Sequence, residues 1–206
     1  MLKRAVLNIL FVLPLLAVEA AEFKKGTHFV ELSQPINAPK GVTEFFSFYC
    51  PACFKQEPLM NEIKASLPEG FVFRKNHVDN MPGRDVEAER MLTKALITAN
   101  QLGVADKVVP AIFNYIHVSR AQFTDVKDVK NLFLLADVKG EDFDKVFKSF
   151  STNTQLRKMS KDTQTIRSQG HSSVPTLIIN GRYKPVTSSI KSIEEYKQLV
   201  LFLVNK

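Results

Sequence analysis

Residues 42–58 read VTEFFSFYCPACFKQEP and contain both cysteines of the 206-residue chain, Cys50 and Cys53. The first eight residues are rich in β-branched and aromatic side chains and almost continuously apolar, which is typical of a central, buried β-strand. Pro51 then suits the first turn of an α-helix, where its missing N–H leaves no hydrogen bond unmade. The stretch therefore predicts a strand over 42–49 followed at once by a helix, with Cys50 at the junction.

The segments around this junction predict an α/β domain. A helix ending at Leu67 and a second strand after it complete a βαβ unit. Strand patterns return only near the end of the chain, where Asn180-Gly181 indicates a tight hairpin. Outside the junction, the predicted strands cover 29–32, 71–78, 174–180 and 182–186, and a closing helix covers 192–204.

The region between the two groups of strands predicts an all-helical insertion. From 84 to 169 the spacing of apolar residues is helical, and strand signals are almost absent. The predicted helices cover 85–102, 107–118, 126–136, 143–150 and 153–169, with Gly140 between the third and the fourth. We therefore divide the mature chain into a first part of the α/β domain over 21–80, the insertion over 81–157, and a second part over 158–206.

The first twenty residues have the layout of a secretory signal peptide. Lys3 and Arg4 give a basic start to an apolar stretch over 5–18. Small residues at Val18 and Ala20 predict cleavage after Ala20. The apolar stretch is too short to span a bilayer comfortably, and a buried core helix would leave the basic start unexplained. We expect a mature protein that is exported to the periplasm and does not itself span a membrane.

The charge of the chain is positive but dispersed. Lys and Arg number 28 against 21 Asp and Glu, which gives a formal net charge of +7. No run of basic residues resembles a nucleic-acid-binding arm, so we expect no nucleic-acid partner. A generally positive surface is the simplest interpretation, and a bias toward acidic partners or a membrane surface is the alternative.

The spacing of the cysteines favours redox chemistry over a structural role, since an exported protein meets an oxidising compartment. A structural disulfide stabilises most when it closes a long loop, and Cys50 and Cys53 close almost none. A zinc site would need further ligands, and the chain has no other cysteine. Its histidines are scattered, without metal-site spacing, at His28, His77, His117 and His171. We expect no metal.

The position of Cys50 suits it to attack another sulfur. Unpaired N–H groups and the positive end of the helix dipole favour its thiolate, which is the attacking species. Cys53 lies three residues further along the same helix face, within disulfide reach. We interpret Cys50 as the thiol that meets the other protein and Cys53 as the thiol that resolves the mixed disulfide.

With these motifs the sequence resembles the periplasmic thiol:disulfide oxidoreductases of the DsbA type over nearly the whole mature chain. The matching motifs are TEFFSFYCPAC (43–53), LPEG (67–70), KNHV (75–78), GVADKVVPAIF (103–113) and SVPTLIINGRY (173–183). The resemblance implies a thioredoxin fold with an inserted all-helical domain, with Cys50 as nucleophile and Cys53 as resolving thiol. It also implies a cis peptide bond between Val174 and Pro175, facing the disulfide. On the residues alone, Pro175 could instead mark an edge strand.

Three charged residues also fall on family positions: Glu44, Glu57 and Lys75. A carboxyl group inside an otherwise apolar strand should have a raised pKa, so Glu44 is a candidate to move a proton to or from Cys53. The alternative is that all three side chains are solvated.

One departure from the family is the dipeptide between the cysteines. It is Pro51-Ala52 here, whereas the best-known members of the family carry Pro-His. Ala52 supplies neither a ring N–H nor a positive charge to the thiolate. If that interaction is worth roughly 1 kcal/mol, its loss lowers the reduction potential by roughly 20 mV. We expect a somewhat weaker oxidant than the strongest members of the family.

We expect a monomeric dithiol oxidase that donates its Cys50–Cys53 disulfide to reduced, unfolded exported proteins. No bound cofactor is needed, because the protein's own sulfurs carry the electrons. The resemblance implies that a DsbB-like membrane partner reoxidises it. Two alternatives stay open, namely a reductase or isomerase that is kept reduced, and a peptide-binding holdase whose thiols are incidental.

Overall fold

The structure is a computed structural model and describes residues 22–206. The predicted signal peptide, with its cleavage site after Ala20, lies outside the described residues. Within the described range, no helix combines the length and the apolar character that crossing a membrane requires.

A five-stranded mixed sheet forms the centre of the described chain. Its strands are β1 (Phe29–Glu31), β2 (Gly41–Phe46), β3 (Val72–His77), β4 (Thr176–Ile179) and β5 (Tyr183–Pro185). Their spatial order is β1-β5-β4-β2-β3, with β2 and β3 parallel and the other neighbouring pairs antiparallel. The predicted hairpin is confirmed, since Asn180 and Gly181 have φ values of 50° and 69°. The βαβ unit is confirmed as well.

Helices cover both faces of this sheet. Over residues 22–206 they are α1 (Pro51–Ser66), α2 (Val86–Gln101), α3 (Ala105–His117), α4 (Val126–Leu135), α5 (Gly140–Phe147), α6 (Phe150–Arg167) and α7 (Ile193–Val204). Apolar residues of α1 and α7 form one core with β2 and β4, and α6 contributes to a second core on other strand residues. Helices α2 to α5 lie between the two halves of the sheet in sequence and form a third core, which confirms the α/β fold with a helical insertion.

Strand β2 ends earlier than predicted, at Phe46 rather than Tyr49. Its partner β3 ends at His77, directly opposite Phe46, so the following residues have no strand beside them to extend the ladder. The chain turns instead, and the Cys50 N–H donates to the Ser47 carbonyl oxygen at 3.0 Å. A tight turn, rather than more strand, therefore leads into α1.

Two helix boundaries in the insertion also differ from the predicted ones. Helix α5 begins at Gly140, where the pattern predicts a break, and it ends before residue 150. Helix α6 begins at Phe150 rather than Asn153. Ser149 is the reason, because its hydroxyl oxygen accepts the Thr152 N–H at 3.1 Å and caps the helix three residues upstream of the predicted start.

Helix α6 connects the insertion to the sheet. It is continuous from Phe150 to Arg167, so position 157, where the predicted domain division falls, lies inside the helix. Arg74 of β3 is 3.0 Å from the Asp162 carboxylate of α6. The buried Asn76 side chain donates to the Thr163 hydroxyl at 3.0 Å. These paired polar groups fix α6 against β3.

Gly41 opens β2 at a point where two backbones nearly touch. Its φ is +127°, and a Cβ placed on it would lie 2.1 Å from the carbonyl oxygen of Val72. The Gly41 N–H also donates to the Asn180 side-chain oxygen at 2.9 Å. Because the obstructing atoms belong to backbone, a side chain at this position would force β2 and β3 apart.

We predict that Gly41→Ala destabilises the protein by at least about 2 kcal/mol, measured by urea unfolding of the reduced form. Gly70→Ala is the matched control. Gly70 also has a positive φ, of +85°, but a Cβ there would meet nothing within 4 Å. Equal losses in the two variants would mean that the conformation of Gly41, and not its close approach to Val72, makes glycine necessary.

Candidate active site

The two cysteines lie where the chain passes from β2 into α1. Cys50 is the N-cap residue of α1, and Pro51 follows at the first helical position. The Cys50 Sγ accepts a hydrogen bond from the Cys53 backbone N–H at 3.2 Å, one of the amides that a helix start leaves without an intrahelical partner. Both side chains are free thiols, with Cys50 partly exposed and Cys53 fully buried. One sulfur is therefore accessible and already has a donor directed at it.

Burial raises the pKa of the Cys53 thiol far above its usual range. Its hydrogen bond with the Cys50 side chain and the negative charges of Cys50 and Glu44 act in the same direction, while a backbone hydrogen bond at Ser47 opposes them. Cys53 therefore keeps its proton at neutral pH. Thiol–disulfide exchange needs a thiolate as the attacking species, and Cys50 is the accessible sulfur of the pair.

A second segment of backbone approaches Cys50 from the loop before β4. The peptide bond between Val174 and Pro175 is cis, the isomer that the resemblance implies. The Cys50 Sγ lies 3.6 Å from the Val174 carbonyl oxygen. The Thr176 hydroxyl donates to the Ser173 carbonyl oxygen at 2.8 Å and closes this loop. The fold thus brings Val174 and Pro175 to the sulfur from a distant part of the chain.

The dipeptide between the cysteines lies on the first turn of α1, where Pro51 and Ala52 are both exposed. Pro51 has no N–H and Ala52 ends in a methyl group, so neither side chain can donate to the Cys50 sulfur. The nitrogen that donates to this sulfur is the backbone amide of Cys53.

The three charged residues form one cluster between β2, α1 and β3. The Lys75 Nζ lies 2.6 Å from Glu44 Oε2 and 2.5 Å from Glu57 Oε1. Glu44 is fully buried, and the other two side chains are 14% exposed. None of the three is therefore solvated as an isolated surface charge.

Burial and the neighbouring charges have different net effects on the pKa values of Glu44 and Lys75. Burial raises the pKa of Glu44, although the positive charge of Lys75 acts against it. Burial lowers the pKa of Lys75, but the two carboxylates outweigh this and the pKa is raised overall. The second oxygen of Glu44, Oε1, is buried without a hydrogen-bond partner among the described residues. Glu44 is thus a buried acid whose protonation state also acts on Cys53.

His77 belongs to the core. Its Nδ1 lies 2.8 Å from the Thr93 hydroxyl, which itself donates to the Glu89 carbonyl oxygen at 3.0 Å. Burial lowers the pKa of His77 to about 3, so the ring is neutral at physiological pH. The ring packs edge-on to Phe46 at 5.4 Å between centroids. These contacts support a structural role.

His117 is a residue near the site that the sequence did not single out. It ends α3, and its Nε2 lies 2.8 Å from the carbonyl oxygen of Phe48, two residues before Cys50. Because a carbonyl only accepts, Nε2 carries the proton and donates. The ring also stacks flat on Phe54 of α1, with 5.0 Å between centroids and 6° between planes. Helical spacing places His117 on the face of Phe113, but no local signal says that this face meets the cysteines.

The arrangement supplies the parts needed for thiol–disulfide exchange. It has an accessible sulfur with an amide donor, a protonated partner sulfur, the partly exposed residues Val174 and Pro175 beside Cys50, and a buried acid nearby. Over residues 22–206, no group of three or more His, Cys, Asp or Glu side chains is arranged to hold a metal ion.

A comparison with protein families agrees with this chemistry. Residues 41–199 match the DSBA-like thioredoxin domain, which covers most of the chain, including both cysteines and Pro175. The chain belongs to the DsbA family. Its thiol:disulfide oxidoreductase chemistry follows from that membership.

Individual relatives align with the chain almost from end to end. The thiol:disulfide interchange protein DsbA of Pectobacterium carotovorum is 32% identical over 199 residues, which is 92% of each chain. DsbA of Escherichia coli K12 is 28% identical over the same span. A Cys-to-Ser variant of Proteus mirabilis DsbA, solved with the non-covalently bound peptide PWATCDS, is 30% identical. It has a TM-score of 0.80, with 90% of this chain and 100% of that chain covered.

The raised pKa of Glu44 makes the stability of this DsbA family member depend on pH. The folded chain holds the Glu44 proton more tightly than the unfolded chain does, so stability is lost as pH rises through the folded pKa. We predict that reduced Glu44→Gln is more stable than the parent at pH 7.5 and that the gain shrinks toward pH 4.5, as measured by urea unfolding. Glu57→Gln, which also frees Lys75 of one carboxylate, is the control. A less stable E44Q at pH 7.5 would show that the ion pair outweighs burial.

We predict that His117→Leu destabilises the fold by about 1–2 kcal/mol, because the Phe48 carbonyl oxygen loses its donor. His117→Gln should lose less, since an amide N–H can replace the ring N–H. Urea unfolding measures both, and alkylation rates of Cys50 report whether the turn before it has moved. Equal stability in H117L and the parent would contradict a structural contribution from this hydrogen bond.

Proposed function

We propose that the protein is a dithiol oxidase of the periplasm that donates its Cys50–Cys53 disulfide to reduced exported proteins. The observation that carries the proposal is the environment of the Cys50 sulfur. The Sγ accepts the Cys53 N–H, with 3.2 Å between sulfur and nitrogen, and in the thiol form it donates to the Val174 carbonyl oxygen before cis-Pro175, at 3.6 Å. The amide donor stabilises negative charge on this sulfur, and a thiolate stabilised in the reduced form makes the disulfide a stronger oxidant.

The proposed reaction begins with the oxidised protein. A client thiolate attacks the Cys50 sulfur, a mixed disulfide forms, and the bond between Cys50 and Cys53 breaks. The electron pair of that bond leaves on Cys53, which takes up a proton because its pKa is raised by burial. A second client thiolate then attacks the client sulfur of the mixed disulfide and releases Cys50 as thiolate. The client has lost two electrons, and the protein has gained them as two reduced sulfurs.

Glu44 is the proposed source of the proton for Cys53. It is a buried acid with a raised pKa, and its charge acts on the Cys53 thiol. Lys75 links it to Glu57, which is partly exposed and can exchange protons with solvent. Cys53 gains the proton that Glu44 loses, and the carboxylate that remains on Glu44 is paired with Lys75, so no ion is left alone in the core.

The proposed client site includes the cis-Pro loop and a groove beside it. The groove has a volume of about 510 Å³, lies beside Pro175 between α1 and the start of α7, and is lined mainly by apolar side chains such as Leu59, Ile190 and Ile193. An unfolded client offers exposed apolar residues of this kind near its cysteines. The peptide bound to the Proteus mirabilis relative supports a peptide-binding role for this chain.

The remaining partners are proposed from the chemistry together with the family resemblance. After each transfer the protein is reduced and needs an oxidant, which we assign to a DsbB-like membrane protein. No bound cofactor takes part, because the electrons stay on the protein's own sulfurs. We expect the protein to act as a monomer, with the signal peptide directing it to the periplasm.

We predict that the Cys50–Cys53 couple is more oxidising than glutathione. Equilibration in glutathione redox buffers, read by thiol trapping, measures this directly. Oxidised protein should also form disulfides in a reduced two-cysteine peptide. Cys50→Ser should abolish that activity. Cys53→Ser, which cannot form the disulfide, should accumulate a mixed disulfide when it is mixed with the oxidised form of the peptide, because its Cys50 thiolate attacks the peptide disulfide and no Cys53 thiol is present to resolve the product.

Other results would favour other functions. A potential near that of a thioredoxin-type reductant would contradict the oxidase and favour a reductase. If Cys50→Ser still suppressed aggregation of an unfolded client as well as the parent does, while peptide oxidation was absent in both, the protein would be a holdase with incidental thiols.

A further inference from the structure

The loop between β3 and α2 lies at the same edge of the sheet as the active-site turn. Strands β2 and β3 are parallel neighbours, and Phe46 and His77 end them side by side. Within the loop, the Arg84 N–H donates to the Met81 carbonyl oxygen at 3.2 Å. Asp85 then caps α2. The backbone of Arg84 is therefore held between a turn and a helix start, next to the redox site.

The Arg84 side chain lies over the residue that precedes the accessible cysteine. Its guanidinium carbon is 4.9 Å from the centroid of the Tyr49 ring. Tyr49 and Cys50 pack against the same apolar core. A guanidinium stacked on a ring keeps its N–H groups free to bind at their edges, and the stack restricts the long side chain in advance of binding.

This guanidinium has no acidic partner within residues 22–206, although two carboxylates are near. The Asp85 carboxylate accepts the Glu87 N–H at 3.1 Å, and the Glu89 carboxylate accepts the Met81 N–H at 2.9 Å. One oxygen of each acid thus accepts from a backbone amide, and neither carboxylate forms an ion pair with Arg84. Arg84 itself is exposed and forms neither a hydrogen bond through its guanidinium nor an ion pair with the described residues.

The groove beside Pro175 has the same sign of charge as Arg84. Lys191 is the one charged residue among those lining the groove beside Pro175, and no Asp or Glu lines it. A peptide that crosses Cys50 and enters this groove therefore has Arg84 near one part and Lys191 near another. Neither cation has a carboxylate of the described chain as an ion-pair partner.

We propose that Arg84 is a specificity-determining residue, which binds a carboxylate beside the reacting cysteine of a client. The protein then prefers clients whose cysteines are flanked by Asp or Glu. A guanidinium fork binds a carboxylate through two parallel N–H···O bonds, which a neutral side chain cannot reproduce. This inference rests on the proposed oxidase function and names the class of client that it serves. Arg84 binds the client and takes no part in the transfer of electrons.

The test compares two reduced peptides that differ only beside their cysteines. Each contains two cysteines, flanked on both sides by Asp in one peptide and by Asn in the other. Oxidised protein is mixed with each peptide, and disulfide formation is followed by acid quench and alkylation, because the protein has no tryptophan to report it. The measured quantity is the ratio of the Asp rate constant to the Asn rate constant. Comparing this ratio between variants removes the effect of Asp on the client thiol itself.

We expect Arg84→Gln to lower the Asp-to-Asn ratio about threefold, the range of an exposed ion pair. The ratio of the parent should fall toward that of R84Q in 0.5 M salt. Arg90→Gln is the matched control, because it also removes one positive charge, at a nearby position in α2. Arg90 already forms an ion pair with Glu87 at 3.1 Å, so we do not expect it to bind a client carboxylate. The ratio in R90Q should equal that of the parent.

The possible outcomes distinguish a failure of the proposed role of Arg84 from a failure of the proposed oxidase function. An equal ratio in R84Q and the parent, with both peptides oxidised, would overturn the role of Arg84 and leave the oxidase intact. The same loss in R90Q and R84Q would also overturn it, because general surface charge would then explain the preference. If the parent oxidised neither peptide, the oxidase itself would fail, and the client preference with it.

Discussion

Strand β2 is hydrogen-bonded to a neighbour on each side, all six of its residues are buried, and the position of Cys50 depends on this constraint. A strand held in this way cannot slide without moving its whole set of side chains to the wrong face. Its end at Phe46 is therefore fixed, and the short turn that follows places Cys50 at the start of α1. The amide donor to the sulfur comes from the helix, and the nearby carbonyl comes from the segment before β4, which pairs with the same strand.

The same strand also brings a carboxyl group into the core. Glu44 is buried because its neighbours in β2 are, and Lys75 is its ion-pair partner from β3. The two sulfurs consequently differ in environment, although they are only three residues apart. Cys53 lies where burial and negative charge favour its neutral form, whereas Cys50 lies at the surface with a donor. This asymmetry supports the proposed division of roles, with Cys50 as the sulfur that contacts other proteins and Cys53 as the sulfur that closes the disulfide.

Local patterns were sufficient for most of the fold. The β2–α1 junction, the hairpin at Asn180-Gly181 and the helical character of the insertion all follow from short-range propensities and periodicity. The end of β2 could not be read locally, because it depends on where β3 stops. The contact of His117 with the Phe48 carbonyl oxygen and the approach of Val174 to Cys50 join distant segments, so periodicity carries no information about them. For Val174 and Pro175, only the resemblance to a family supplied the expectation.

Helix α6 has a consequence for how such a protein can be taken apart or recombined. The helix starts among the helices of the insertion and ends against the sheet, without a break or a loop between the two parts. It contacts Arg74 and Asn76 of β3, the strand that follows α1 in the chain. The insertion is therefore not joined to the sheet by a flexible loop at its C-terminal end. If relatives exchanged the insertion by recombination, the exchanged segment would have to include α6 together with its partners on β3. The helical insertion and the part of the sheet next to α1 would therefore be inherited together.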